Sequence, residues 1–231
     1  MCSPKGVYRA DGAMGQFTIV DPSRDLILAI TENAAGAHWA QTTLNVIWKF
    51  LEQIPVSNET LEESPESKRL KQRMSRLSLP APLFQPYSPI SNAVNESTNQ
   101  VLDDKLHFEY VAIIHKMAGI PTPPPVAQIH FSISDTLCTL SFKNQAGEKA
   151  VLNASMCGYW QQNILGSDIP DQALVNAYWD NDNTLVLTIK WIETCNTLTY
   201  CMTFNGNDLI IKYIPADSFI AKEITTSCKR I

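Results

Sequence analysis

The sequence predicts an α+β protein with three regions of different texture. Residues 1–54 hold two strand-like apolar runs and then a helical apolar stripe, which predict a hairpin followed by a helix. Residues 55–100 contain six prolines and no glycine, as is typical of a connector. Residues 101–231 hold six strand-like runs separated by turn sequences, which predict an antiparallel β-barrel or β-sandwich domain.

Composition excludes several classes of protein. The 231 residues are 45% apolar and 18% charged, which is typical of a globular chain. A net charge of −5 argues against a nucleic-acid-binding surface, and no apolar run approaches the roughly 20 residues that span a bilayer. The first residues contain no apolar stretch typical of a secretion signal, so we expect a cytoplasmic location unless further sequence lies upstream.

The first region predicts a hairpin that is covered by a helix. Strand-like residues 16–20 lead into a turn sequence at 21–25, and the apolar run at 26–31 is typical of a strand buried on both faces. Two strands and one helix are only marginally stable alone, so this unit should be the end of a larger sheet. The helix is predicted over residues 38–54 from apolar side chains at steps of three and four: Ala40, Leu44, Ile47, Leu51 and Ile54.

The second region predicts a short helix within the connector. Ser64 and Pro65 have the residue types of a helix N-cap and a first helical position. Leu70, Met74 and Leu77 follow at helical spacing among basic residues. A basic helix suggests nucleic-acid binding, but the glutamates just upstream and the overall acidity favour a solvated linker helix.

The third region predicts a small barrel or sandwich. Asn205 and Gly206 between two apolar runs form the strongest hairpin signal in the chain. The predicted strands cover residues 126–133, 136–143, 149–153, 184–193, 197–204 and 209–214.

Few residues point to metal or cofactor chemistry. The six cysteines form no Cys-x-x-Cys pair and the four histidines no His-x-x-x-His pair, so we predict no metal site and no cofactor. The acidic turn at residues 180–183 lacks the glycine and glutamate that a calcium loop needs downstream. Glu109 and Glu193 are the candidates for a carboxylate pair.

Three tryptophans of the third region are candidate ligand-binding residues. Trp160, Trp179 and Trp191 could line an apolar pocket within a β-barrel. Large aromatic side chains more often fill a core, so core packing is the favoured interpretation of the same residues.

The chain lacks the motifs that carry the nucleophile of a serine hydrolase. Neither Gly-x-Ser-x-Gly nor Ser-x-x-Lys occurs in it. Loss of such a nucleophile lowers turnover by about a million-fold. We therefore predict no catalytic residue in this chain and no acyl transfer by this chain alone.

A family resemblance nevertheless runs along nearly the whole chain. Residues 8–22 (Tyr-Arg-Ala-Asp-Gly-Ala-Met-Gly-Gln-Phe-Thr-Ile-Val-Asp-Pro), residues 25–33 and the helix around Trp48 resemble the last two strands and final helix of certain serine hydrolases. These are the hydrolases of the β-lactamase and penicillin-binding-protein type, in the class C-like esterase branch. Residues 76–82 resemble the linker of one bacterial subgroup, and residues 135–147, 158–160 and 179–194 resemble its β-rich C-terminal domain.

The resemblance implies acyl transfer in an intact enzyme. Such hydrolases use a serine activated by a lysine, a tyrosine in a second motif, and an oxyanion hole to cleave a small ester or amide. Their third motif would fall near Asp11, Gly12 and Ala13, which become the candidate substrate-binding residues.

Three functional expectations follow from these observations. The main one is the carboxyl-terminal portion of a β-lactamase-like serine hydrolase, inactive without an upstream catalytic half as its partner. The alternative is a small β-barrel module over residues 102–231 that binds a ligand or a protein, with the first region as a docking arm. A third is self-association through uncovered apolar strands of the first region.

Overall fold

The chain forms two compact units, Met1–Leu79 and Pro80–Ile231. The computed structural model describes residues 3–12, 15–32, 37–56, 62–108, 123–165, 172–194, 196–214 and 222–231. Residues 80–100, which we assigned to the predicted connector, lie in the second unit and contribute one helix and one strand to it. Within the described residues the fold is mostly β, with few helices.

The first unit contains a three-stranded antiparallel sheet and two helices. The sheet order is β1-β2-β3, so the predicted hairpin of β2 and β3 gains β1 as a further strand. The elements are β1 Tyr8–Gly12, β2 Gln16–Asp21, β3 Leu26–Ile30, α1 Ala37–Leu51 and α2 Pro65–Met74.

A charged turn joins β2 to β3. Pro22–Arg24 form one turn of 3-10 helix, whose preset proline φ suits the first position. The Asp21 carboxylate accepts hydrogen bonds from the backbone and hydroxyl of Ser23 and pairs with Arg24 Nη1 at 2.7 Å. Asp25 then takes a left-handed conformation with φ 48°, which lets the chain reverse into β3.

The core of the first unit lies between the sheet and α1. Phe17 and Ile19 of β2 pack against the helix, as the predicted apolar stripe requires. The helical residues at this interface are Leu44, Ile47 and Leu51. The predicted burial of residues 26–31 on both faces is wrong for this chain, because Ile27 is 72% exposed. Successive side chains of a strand point to opposite faces, and α1 covers one face.

Helix α2 begins as predicted and remains solvated. Ser64 is its N-cap, with the hydroxyl accepting from the Ser67 backbone N–H at 3.1 Å, and Pro65 is its first residue. None of its residues is buried.

The second unit holds α3 Ser91–Val94 and ten strands among its described residues. They are β4 Ser97–Val101, β5 Val126–Ile133, β6 Leu137–Asn144, β7 Lys149–Ser155, β8 Gln161–Ile164, β9 Gln172–Asn181, β10 Thr184–Trp191, β11 Thr197–Asn205, β12 Asp208–Tyr213 and β13 Ile224–Arg230.

Nine of these strands close into a barrel. The ring runs β4-β5-β6-β7-β9-β10-β11-β12-β13 and returns to β4. Neighbouring strands are antiparallel except β7 and β9, since a ring of nine alternating strands must contain one parallel pair. The predicted barrel or sandwich is therefore a barrel, and all six predicted strands are confirmed.

Two buried asparagine side chains complete the seam beside β7. Backbone pairing of β7 with β9 is confined to Ser155 opposite Asn176. Asn163 of β8 accepts from the Asn153 backbone N–H at 2.8 Å and donates to its carbonyl at 2.8 Å. The Asn176 amide donates to the Ser155 carbonyl at 2.9 Å. The Asn163 side chain thus makes the two hydrogen bonds to Asn153 that the backbone of a paired strand would otherwise make.

None of the described helices combines the length and the apolar character that a membrane crossing requires.

Candidate functional site

The predicted substrate-binding strand is β1, where Asp11 and Gly12 are described and Ala13 lies outside the described residues. Asp11 is held by Arg9, whose Nε lies 2.6 Å from its Oδ1 and whose guanidinium lies over the Trp48 ring of α1. Asp11 therefore belongs to the face that α1 covers. A Cβ on Gly12 would come within 2.9 Å of Gln16 Cβ, so the close approach of β1 to β2 requires glycine here.

The face of the sheet turned away from α1 is exposed and partly apolar. Tyr8 of β1 lies opposite Val20, which lies opposite Ile27 of β3. These three side chains form a row across the sheet, and Tyr8 and Ile27 are strongly exposed. Within the described residues, β1 and β3 each pair with β2 alone, so both outer edges of the sheet keep unpaired backbone groups.

The outer side of α1 is also apolar. Val46 and Phe50 lie four residues apart on the side away from the sheet, and both are 64% exposed. The layer formed by sheet and helix therefore presents apolar side chains on both of its outer surfaces. We call the row Tyr8–Val20–Ile27 the open sheet face, and the pair Val46 and Phe50 the outer helix face.

The three candidate pocket tryptophans do not lie together. Trp179 and Trp191 both point into the barrel and are almost fully buried, but the strand from Leu185 to Trp191 separates them by about 20 Å. Trp160 lies outside the barrel, where Lys190 Nζ is 4.9 Å from its ring and the Pro80 carbonyl accepts its Nε1–H at 3.2 Å. Trp179 and Trp191 therefore fit the core-packing interpretation and do not line a shared pocket.

The barrel interior is filled by its own side chains. At the end that contains Trp191, the segment after β4 contributes Leu106 and Phe108 to the core. The Phe108 ring lies 5.0 Å from Tyr200, which donates its hydroxyl proton to the His107 carbonyl at 2.5 Å. We call this the plug end. At the opposite end, Trp179 and Phe204 pack near Val94 of α3, and we call this the cap end.

An exposed apolar patch lies on the outside of the barrel. Leu83, Phe84 and Tyr87 are all more than half exposed, in a segment that leads to α3. Phe84 packs beside Gly158, next to the exposed Tyr159. This group of four side chains, which we call the barrel patch, is not part of the barrel core.

A hydroxyl, an imidazole and a carboxylate form a chain on the barrel surface that the sequence did not single out. Thr98 Oγ1 lies 3.0 Å from His130 Nδ1, and His130 Nε2 lies 3.4 Å from Glu96. Glu96 also accepts from Ser132 at 2.8 Å and has a left-handed φ of 56°. The neighbouring Asn95 side chain accepts from a backbone N–H of β5, so these contacts fix the turn between α3 and β4.

The remaining candidates are possible metal ligands, Glu109, Glu193 and the cysteines. In the described ranges, no group of three or more His, Cys, Asp or Glu side chains is placed to hold a metal ion. Glu109 lies outside the described residues, and the Glu193 carboxylate accepts from the Gln172 backbone N–H at 3.2 Å. Burial raises the pKa of the Cys138 thiol to about 12, so this cysteine is not a nucleophile at neutral pH.

In comparisons with known proteins, no protein-family model matches this chain, and no curated protein matches it either.

Proposed function

We propose that this chain is the carboxyl-terminal portion of a serine hydrolase of the β-lactamase and penicillin-binding-protein type. In this proposal the first unit completes the sheet of a catalytic domain whose nucleophile is carried by an upstream segment. The barrel is a module appended to that domain, and the substrate is a small ester or amide.

The two-sided apolar surface of the first unit carries the proposal. A free-standing layer would place polar side chains on its outer surfaces, whereas here Ile27 and Phe50 are both well exposed on opposite sides. Burying each such side chain is worth about 1.5–3 kcal/mol, so a covering partner would gain substantially. The upstream part of a hydrolase would supply strands beside the sheet and a layer on each side.

The position of β1 also supports the proposal. The resemblance places a substrate-binding motif at the end of this strand, and one edge of β1 has unpaired backbone groups in the described structure. An edge strand of this kind can bind an extended substrate backbone or a further strand. The Arg9–Asp11 pair keeps the Asp11 carboxylate on the helix side, away from the open sheet face.

Co-expression with the polypeptide encoded immediately upstream tests the proposal. We expect that polypeptide to contain Ser-x-x-Lys, to co-purify with this chain, and to become acylated by an activated ester or a β-lactam probe only in the assembly. Ile27→Asp should abolish co-purification and acylation. Ile164→Asp is the matched control, because Ile164 is exposed to the same extent, 71%, on the barrel.

Two results would overturn the proposal. One is an upstream sequence without any hydrolase motif, and the other is an acylated assembly that is insensitive to Ile27→Asp.

A protein-binding barrel module is the second candidate, and the barrel patch is the observation that favours it. Because core side chains occupy the barrel interior, a protein partner would bind the outer surface. Leu83, Phe84 and Tyr87 are exposed apolar residues on that surface. Under this alternative Phe84→Asp would abolish recruitment of a protein partner, whereas Ile27→Asp would leave it unchanged.

A further inference from the structure

A small pocket opens at the cap end of the barrel. Its volume is about 110 Å³. It lies where β4, β13 and the turn between β11 and β12 approach α3. Its lining consists of Ile90, Ala93, Val94, Ser97, Asn99, Phe204, Gly206 and Arg230.

Two polar side chains of β4 point into this otherwise apolar end. Ser97, Asn99 and Val101 alternate inward along the strand. Asn99 is only 3% exposed, and its amide makes one hydrogen bond within the described residues, a long one of 3.4 Å to Ser97 Oγ. Buried amides are normally well satisfied, so the Asn99 amide has hydrogen-bonding capacity left for a ligand.

Among the described residues that line the pocket, Arg230 is the charged one. Arg230 of β13, an exposed residue, lies opposite Asn99 of β4 in the ladder, so the two side chains leave the sheet on the same face and both line the pocket. Among the described residues, no carboxylate lines the pocket, and the ion pair on this stretch of β13 is made by Lys229 and not by Arg230. The complementary ligand group is therefore an anion that accepts hydrogen bonds from both.

The rest of the lining selects for a short apolar chain. Val94 and Phe204 supply apolar lining. Gly206, which has no side chain, also belongs to the lining. A volume of 110 Å³ corresponds to about four water molecules, which is the size class of propionate or butyrate.

We propose that this pocket binds a short-chain monocarboxylate, with the carboxylate on Arg230 and Asn99 and the alkyl chain against Phe204 and Val94. The inference concerns the barrel alone and does not depend on the hydrolase proposal.

Titration of the full chain with butyrate tests this site, followed by backbone amide shifts in nuclear magnetic resonance. We expect a dissociation constant of about 1 mM, with the largest shifts at residues that line the pocket. Butyramide, which has the same shape without the charge, should bind about tenfold more weakly. Equal binding of butyrate and butyramide, or no binding of butyrate, would overturn the proposal.

Three variants locate the site. Arg230→Gln should weaken butyrate binding about tenfold, whereas Lys229→Gln, the same charge change on the neighbouring residue, should leave it unchanged. Asn99→Leu should abolish binding by filling the pocket, with the thermal midpoint as a check of folding. Should Asn99→Leu fail to fold, the two exposed β13 variants still decide the question. Equal effects of Arg230→Gln and Lys229→Gln, or equal binding of inorganic phosphate and butyrate, would contradict a monocarboxylate site.

Discussion

The Asn163 side chain holds the seam of the barrel, and replacing it should cost a large part of the stability of the second unit. Asn163→Ala removes two 2.8 Å hydrogen bonds to the backbone of Asn153 and one of 3.1 Å to the Gln161 carbonyl. It leaves the Asn153 N–H and carbonyl without these partners. The site is buried, since Asn163 is only 7% exposed. Each unsatisfied group costs about 1–3 kcal/mol, so we expect the two groups to cost about 2–6 kcal/mol.

Chemical denaturation followed by tryptophan fluorescence measures this loss, because Trp179 and Trp191 lie inside the barrel. At about 2–4 °C per kcal/mol, a loss of this size should lower the melting temperature by roughly 4–24 °C in a unit of about 150 residues. Gln162→Ala is the matched control, since Gln162 is the exposed neighbour in the same strand and should change stability by less than about 0.5 kcal/mol. If Asn163→Ala were as stable as the control, the seam would not depend on this side chain.

Three further outcomes follow from individual side chains. Tyr200→Phe should destabilise the barrel by about 1–2 kcal/mol, because the His107 carbonyl loses its donor at 2.5 Å. Urea denaturation measures this loss, and an unchanged midpoint would show that the contact does not stabilise the barrel. The Ser23 hydroxyl and the nearby Arg24 lower the pKa of Asp21 below 3.8. The ionised Asp21 carboxylate therefore stabilises the fold fully above that pH, and this contribution is lost as the pH falls through the lowered pKa of the folded state. Asp21→Asn should therefore lower stability at pH 7 and flatten its acid dependence in a pH series of melting curves; parallel wild-type and variant curves would refute this. Iodoacetamide at pH 8 should modify the partly exposed Cys157 before the buried Cys138, as peptide mass spectrometry would show; faster modification of Cys138 would contradict its raised pKa.

Strands with strong local signals could be predicted from the sequence, and strands that depend on distant partners could not. The run around residues 184–193 alternates large apolar residues, and Asn205 with Gly206 marks the following hairpin. By contrast β4 has the sequence Ser-Thr-Asn-Gln-Val, which has little β-propensity. It is a strand because β5 and β13 pair with its two sides.

Closure of the barrel could not be predicted from the sequence, because it depends on residues that lie far apart in the chain. The seam depends on Asn163 and Asn176, and an isolated asparagine in a sequence more often marks a turn. The candidate pocket joins Ser97 and Asn99 to Arg230, which lie far apart in the chain and meet only because β13 returns beside β4. Uncovered apolar strands in the first region were expected from the sequence, but the side chains that stay exposed could not be named. A continuous apolar run predicts burial on two faces whether or not the covering layer lies in the same chain.

The two units differ in how completely their strands are paired and their apolar side chains are buried in the described structure. The barrel ring pairs every one of its strands on both sides, and Leu106 and Phe108 belong to the core at its plug end. The sheet of the first unit instead keeps two unpaired edges and exposes Ile27 and Phe50 on opposite sides. Unpaired edges and exposed apolar faces are costly in water, and for this reason the proposed covering partner is assigned to the first unit and not to the barrel.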